Sequence, residues 1–244
     1  MTYKLTISYD GTNYHGWQRQ KNGITIQEIM ETVLSSMFGA ETAVTGCSRT
    51  DAGVHAKIYV CSFCGDTTIP CDKIPFVLNT MLPPDIRAYK CETADDDFNA
   101  RFKTVTKAYE YKIVNASVAD PLQRNFAWHY PVLLDVEKMQ QAAQVICGRH
   151  DFAAFCAAGS KVKTTVRTVT ELSVEKSGNV ITVRAAADGF LYNMVRIIVG
   201  TLVYVGNGKL SVTDIDNLIE MKDRRKMGIT APPQGLSLVE VNYE

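Results

Sequence analysis

The chain of 244 residues has no surplus of either charge, since Lys plus Arg and Asp plus Glu number 26 each. A uniformly basic surface of the kind a phosphate backbone selects is therefore excluded, and any polyanion must be met by a local patch. Long apolar runs are missing as well. The most apolar stretch, Gly189 to Gly206, carries Asn193 and Arg196 in its middle, which does not suit a membrane span. The first residues, Met1 to Ile7, alternate like a strand and lack the basic start and apolar core of a signal peptide. A soluble cytoplasmic protein without membrane contact is expected.

Histidine is scarce: the four residues at 15, 55, 129 and 150 include no close pair able to share a helix face or a metal-binding loop. The seven cysteines are odd in number and irregular in spacing, so they outline no disulfide framework. Their one close pair, Cys61-Ser62-Phe63-Cys64, has no second pair to complete a zinc site. It also sits in a run, Lys57 to Phe63, that reads as a strand, where positions three apart face opposite sides. No metal, redox centre or other cofactor is expected.

What the chain does have is a core-forming composition, 46% hydrophobic and 21% charged, enough for one large domain or two small ones. Tyr3, Leu5, Ile7 and Tyr9 alternate with Lys4, Thr6 and Ser8 as a half-buried strand that Asp10-Gly11 ends. Thr25 to Glu28 has capping-box spacing, and Ile26, Ile29, Met30, Val33, Leu34 and Met37 form one helical face before Gly39. A short strand near Thr42 to Thr45, a strand from His55 to Phe63, a helix from Asp72 to Met81 and a strand near Ile86 to Glu92 follow. The order is β-α-β-β-α-β.

The second half repeats that order without repeating the sequence. A strand near Val105 to Val114 precedes a helix from Asp135 to Cys147. Strands Val166 to Glu175 and Val180 to Ala187 are joined through Ser177-Gly178-Asn179 as a hairpin. A helix from Phe190 to Val205, an extra helix near Thr213 to Met221 and a last strand, Leu236 to Tyr243, complete it. The expectation is an α+β fold of two ferredoxin-like units side by side, residues 1–97 and 98–244, with the boundary near Asp95 to Arg101. Their antiparallel sheets would carry helices on one face; in many RNA-binding folds the other face carries the nucleic acid, and by that analogy of fold alone a central RNA-binding cleft is expected.

The segment richest in chemistry is the loop Cys47 to Ala56, which sets Arg49, Thr50, Asp51 and His55 between two predicted strands, with Gly53 allowing a tight turn. Spacing alone permits a plain reading, an aspartate bonded to neighbouring amides of an ordinary turn. The string Ser48-Arg49-Thr50-Asp51-Ala52-Gly53-Val54-His55-Ala56 nevertheless resembles the signature of the tRNA pseudouridine synthase A family. The resemblance extends to Tyr9 to Gln18, Phe98 to Phe102, Lys107 to Tyr111, Asn193 to Gly200 and Gly235 to Leu238, in the family's order from end to end. Ser48 departs from it, since a glycine commonly precedes the arginine there.

The resemblance implies an isomerase that converts uridine to pseudouridine at positions 38, 39 and 40 of the tRNA anticodon stem-loop, working as a homodimer. It makes Asp51 the catalytic carboxylate. Such a group can attack the ribose C1′ or add to C6 of the base, and other routes begin with proton removal at the ribose; the sequence leaves all three open. In each the carboxylate must be ionised, rigid and shielded from water. Arg196, on a helical stripe with Asn193 and Gly200 opposite Leu191, Val195, Ile198 and Leu202, is expected to keep it charged through a salt bridge.

Tyr109, read from its strand as a half-buried packing residue, becomes by resemblance the ring that stacks on the uracil and a candidate acceptor of the C5 proton. Arg49 becomes the residue that helps a paired uridine leave its stack. Leu236 and Leu238 are expected to wall the pocket. Arg101 and Lys107, with Arg19, Lys21, Lys103, Lys161, Lys163, Arg167, Lys222, Arg224, Arg225 and Lys226, are the cations suited to phosphates. Rival readings are a pseudouridine synthase for other RNA positions and a non-catalytic RNA-binding protein of the same fold.

Overall fold

The alternation at the N-terminus produces β1 (Thr2–Tyr9), whose Tyr3, Leu5, Ile7 and Tyr9 are all buried. Helix α1 (Ile26–Phe38) follows, begun by Thr25, whose side chain accepts the Glu28 N–H at 3.4 Å, and ended by Gly39 in the left-handed region. It buries Ile26, Met30, Val33 and Leu34. Then come β2 (Val44–Gly46), β3 (His55–Cys64), α2 (Ile74–Met81) and β4 (Ile86–Ala94). This is the β-α-β-β-α-β order read from the periodicities. The strands pair antiparallel in the order β4-β1-β3-β2. The register of β1 against β3 shifts between Ile7 and Tyr9, just before the chain turns at Asp10.

The computed structural model describes residues 1–160 and 162–243, so Lys161, one of the candidate phosphate contacts, lies outside the described residues. The chain forms two compact units, Met1–Val105 with Ser237–Glu244, and Thr106–Leu236. The second unit contains most of β5 (Thr104–Val114), then β6 (Trp128–His129), α3 (Val136–Ile146) and β7 (Gly148–Asp151). After these come β8 (Val166–Ser177), β9 (Val180–Ala187), α4 (Met194–Gly206) and α5 (Ile215–Met221). Its sheet runs β5-β9-β8-β7 with every one of these neighbours antiparallel, and β6 lies parallel to β5. The β8–β9 hairpin pairs Ser177 with Val180, leaving Gly178 and Asn179 as a two-residue turn, as the sequence predicts.

An α+β fold is what the chain adopts, with ten strands and five α-helices among the described residues. The final strand, β10 (Leu236–Tyr243), groups from Ser237 onward with the N-terminal unit. There it lies parallel to β3, with Ser237 opposite His55 and Leu238 opposite Ala56. It was expected as the last element of the second unit. On β3 the pair Cys61 and Cys64 faces opposite ways, the first buried and the second exposed, and burial pushes the Cys61 thiol up.

Helix α5 ends at Lys222, itself left-handed at φ 54°, and its Nζ reaches Asp151 Oδ2 at 2.7 Å. Asp151 also accepts from Thr165 Oγ1 at 2.5 Å. The bonds from Lys222 and Thr165 hold the Asp151 carboxyl below the usual carboxylate range. A depressed carboxyl contributes stability above its unfolded value, about 3.9, and loses it as the pH falls through the folded value. Lys222→Met should therefore lower stability at neutral pH by up to about 1 kcal/mol, solvent screening included. Urea titrations should show the gap between variant and wild type closing below about pH 4.

Candidate active site

In the N-terminal unit the segment between β2 and β3 forms a turn whose shape is set by backbone contacts. The Val54 N–H donates to the Asp51 carbonyl at 3.1 Å, closing a four-residue turn. Gly53, third in the turn, has φ 76°, while Ala52 is not among the positive-φ residues, which is the type II pattern. Two backbone bonds fasten the loop to the N-terminal segment, and a third braces that segment. Trp17 N–H donates to Thr50 O at 3.1 Å, Gly53 N–H to Tyr14 O at 3.3 Å, and Tyr14 N–H to Gly11 O at 3.0 Å within that segment. Two glycines let the segments approach closely: a Cβ on Gly11 would lie 2.0 Å from Val54 O, and one on Gly16, at φ 84°, would lie 2.5 Å from Thr50 O and 3.0 Å from the Asp51 carbonyl carbon. Asp51 is half-buried and Arg49 exposed.

Side chains extend this frame. The Arg49 Nε donates to Gln18 Oε1 at 3.2 Å, the Gln18 amide donates to Gln27 Oε1 at 2.6 Å, and Gln27 Nε2 donates to Val44 O at 2.9 Å. The arginine is thus tied through two glutamines to α1 and β2. His55 is buried with its Nδ1 3.0 Å from the Gly11 N and 3.0 Å from Asp10 Oδ1. A neutral ring accepts from Gly11 there, and a protonated one donates to Asp10. The hydroxyl of Tyr14 donates to Asp85 Oδ1 at 2.6 Å, and burial, then that bond, pushes its phenol up.

The second unit holds Lys107, Tyr109, Arg196 and Leu236. Tyr109 lies on β5 opposite Ala185, is 6% exposed, and meets Phe190 edge-on with ring centroids 5.3 Å apart. Lys107 lies opposite Ala187 on the same strand. Arg196 is in the first turn of α4, which starts four residues later than the apolar pattern suggests because Asn193 takes φ 60° and breaks the run. The Asn193 Oδ1 accepts from Arg196 Nη1 at 3.0 Å, and Arg196 Nε donates to Ala231 O at 2.7 Å. The stripe read as facing a cleft is partly covered within its own unit. A Cβ on Gly200 would stand 1.8 Å from Ile229 O, so the glycine lets residues 228–231 lie directly on the helix. Leu236 and Leu238 are both buried.

Several expected phosphate contacts are engaged by other groups. Arg19 pairs with Glu31 at 3.1 Å, Lys103 with Asp97 at 2.7 Å and Arg225 with Asp223 at 2.9 Å. Arg224 donates to Gly228 O at 2.8 Å and Thr230 Oγ1 at 3.0 Å, and Arg167 to Thr164 O at 3.1 Å. Arg101 is exposed beside the Phe102 ring at 5.8 Å.

A sequence profile of the family described as tRNA pseudouridine synthase matches residues 5–103 and 142–244. The chain belongs to the tRNA pseudouridine synthase family. The tRNA pseudouridine synthase A of Thermoanaerobacter sp. (strain X514) is 46% identical over 239 residues, 98% of each chain. That of Acetivibrio thermocellus is 47% identical over 240 residues, and the tRNA pseudouridine synthase A 2 of Clostridium perfringens is 47% identical over 240 residues, each covering 98% of both chains. The matched regions of this pseudouridine synthase chain include the Asp51 turn, the first turn of α4 and β10.

The Gly16 contact gives a direct check on the frame. Gly16→Ala requires both a strained φ and displacement of the Thr50 carbonyl, so it should cost at least about 2 kcal/mol in chemical denaturation. An unchanged denaturation midpoint would show that the segment and the loop are not locked together.

Proposed function

We propose that this protein isomerises uridine to pseudouridine in tRNA, with Asp51 as the reacting carboxylate. The observation that carries the proposal is the Asp51 turn itself, a half-buried carboxylate on a backbone fastened at Thr50, Gly53 and Val54. The reaction breaks the C1′–N1 bond, turns the base while it stays bound, and joins C1′ to C5. The C5 proton leaves and N1 gains one, so no oxidant or co-substrate enters the balance. A group that acts on C1′ or on the ring must hold its position while the base is detached, and a fixed turn serves that need better than a mobile loop.

In this reading the substrate uridines are those at positions 38, 39 and 40 of the anticodon stem-loop, and the protein acts in the cytoplasm as a homodimer. Tyr109 stacks on the uracil and its hydroxyl is the candidate acceptor of the C5 proton. Arg196 keeps Asp51 ionised, a role compatible with its bonds to Asn193 and Ala231, which hold the guanidinium by Nη1 and Nε. Arg49, held by Gln18, occupies the space the flipped base leaves. Leu236 and Leu238 wall the pocket, and Arg101 and Lys107 meet the RNA backbone. Surface ion pairs such as Lys103–Asp97 are weak enough in water to yield their cations to phosphates.

The test uses tRNA transcripts tritiated at uridine C5 and follows tritium release. Asp51→Asn should bind tRNA within about threefold of wild type yet lose at least about a thousandfold in rate, as expected when a reacting group is removed. Tritium release near the wild-type rate would overturn the assignment of Asp51.

A further inference from the structure

Beneath the Asp51 turn lies a cluster of three aromatic residues, Tyr9, Trp17 and Tyr59, all buried. Tyr59, on β3 opposite Ile7, stacks on Trp17 with centroids 4.2 Å apart and planes 26° from parallel. Tyr9 leans on both, 5.4 Å from Tyr59 and 6.5 Å from Trp17. Packing alone would be served by phenylalanine at either tyrosine position. Both hydroxyls, however, reach the loop. The Tyr59 hydroxyl donates to the Ser48 carbonyl and accepts the Ser48 N–H at 3.4 Å, and the Tyr9 hydroxyl shares a hydrogen bond with Thr50 Oγ1 at 2.8 Å. With the Trp17 N–H on the Thr50 carbonyl, the chain is pinned on both sides of Arg49 and immediately before Asp51.

We propose that Tyr59 and Tyr9 are positioning residues for the isomerisation, holding the turn that presents Asp51 to the uridine; the proposal rests on Asp51 being the reacting carboxylate. The physical reason is the environment of the two hydroxyls. Inside an aromatic cluster both hydroxyls are shielded from water, so a loop that lifts away breaks buried hydrogen bonds that water does not readily replace. The loop's closed position is thereby made steeply preferred over small displacements. Burial also pushes the Tyr59 phenol well above its ordinary value, so it stays a donor throughout the working pH range. A displacement of about 1 Å at a reacting group costs on the order of a hundredfold in rate, which is the scale on which such anchoring acts.

The experiment compares Tyr59→Phe, Tyr9→Phe and Thr50→Val with wild type and Asp51→Asn, using the full chain and tRNA transcript. Thr50→Val removes the partner of Tyr9 from the loop side and keeps the shape of the side chain, so it serves if a tyrosine variant does not fold. Single-turnover rates at saturating protein, tRNA affinity, thermal midpoint and amide exchange across residues 48–54 are read for each. The expected result is a rate loss of about tenfold or more per hydroxyl removed, affinity within about twofold, and faster exchange confined to the loop. The double variant Tyr59→Phe/Tyr9→Phe should lose less than the product of the two single losses, because both hydroxyls act on one loop.

Wild-type rates in all three hydroxyl variants, with Asp51→Asn inactive, would overturn the positioning role and leave the functional reading in place. Rate losses that vanish once temperature is lowered enough to restore the folded fraction would also overturn it, by reducing the hydroxyls to a stability role. Turnover by Asp51→Asn would instead remove the functional reading on which the proposal rests.

Discussion

The contact on which this structure most depends is the backbone-to-backbone approach of Gly16 to Thr50 and Asp51. Nothing larger than hydrogen fits between them, because a Cβ at Gly16 would stand 2.5 Å from the Thr50 oxygen. That approach permits Trp17 to donate to Thr50, Gly16 and Trp17 to accept from the first residues of α1, and the aromatic cluster to close under the loop. A helix, a strand and a turn are thereby coupled through two residues. Rigidity at Asp51 is thus a property of the whole N-terminal unit, and the short turn alone would not supply it.

The second unit follows a related principle around Arg196. Its Nε and Nη1 are committed to the Ala231 carbonyl and the Asn193 amide oxygen, and the Tyr111 hydroxyl donates to the adjoining Pro232 carbonyl at 2.7 Å. Gly228 donates its N–H to Thr201 at 3.0 Å, and Gly200 admits the same segment onto α4. An arginine in such a setting has part of its donor fork fixed by backbone, which orients the rest of the guanidinium without spending flexible surface contacts on it. Stability and any role toward substrate are therefore joined in one side chain.

Much of this was legible in the residues. The Thr25 cap, the apolar face of α1 and the Gly39 stop mark that helix at both ends, and Gly178-Asn179 marks the hairpin. Local chemistry encodes these, so local reading finds them. The pairing of β10 with β3 joins segments far apart in the chain, and no periodicity carries such information. The short β6 and β7 carry too few residues to display an alternation. At the candidate site, Asp51 and Gly53 stand out as turn chemistry, and the ordered motifs make the aspartate functional by resemblance. Tyr9 and Tyr59 did not stand out, because a strand tyrosine reads as packing until its hydroxyl partner is known. The covering of Gly200 was equally hidden, since a small residue on a polar stripe is compatible with a cleft or with a neighbouring backbone.

Zero net charge and an RNA substrate are reconciled by where the charges sit. Several acidic partners, Glu31, Asp97 and Asp223, pair with the very cations suited to phosphates. Partly exposed pairs of this kind keep the free protein neutral and offer replaceable contacts when a polyanion arrives. The central claim, that this chain forms pseudouridine in the anticodon arm of tRNA, is tested most directly by mapping pseudouridine at single-nucleotide resolution in tRNA from cells with and without the protein. The account predicts that uridines at positions 38 to 40 stay unmodified in its absence and regain pseudouridine when it is restored. An unchanged map at those positions would contradict it.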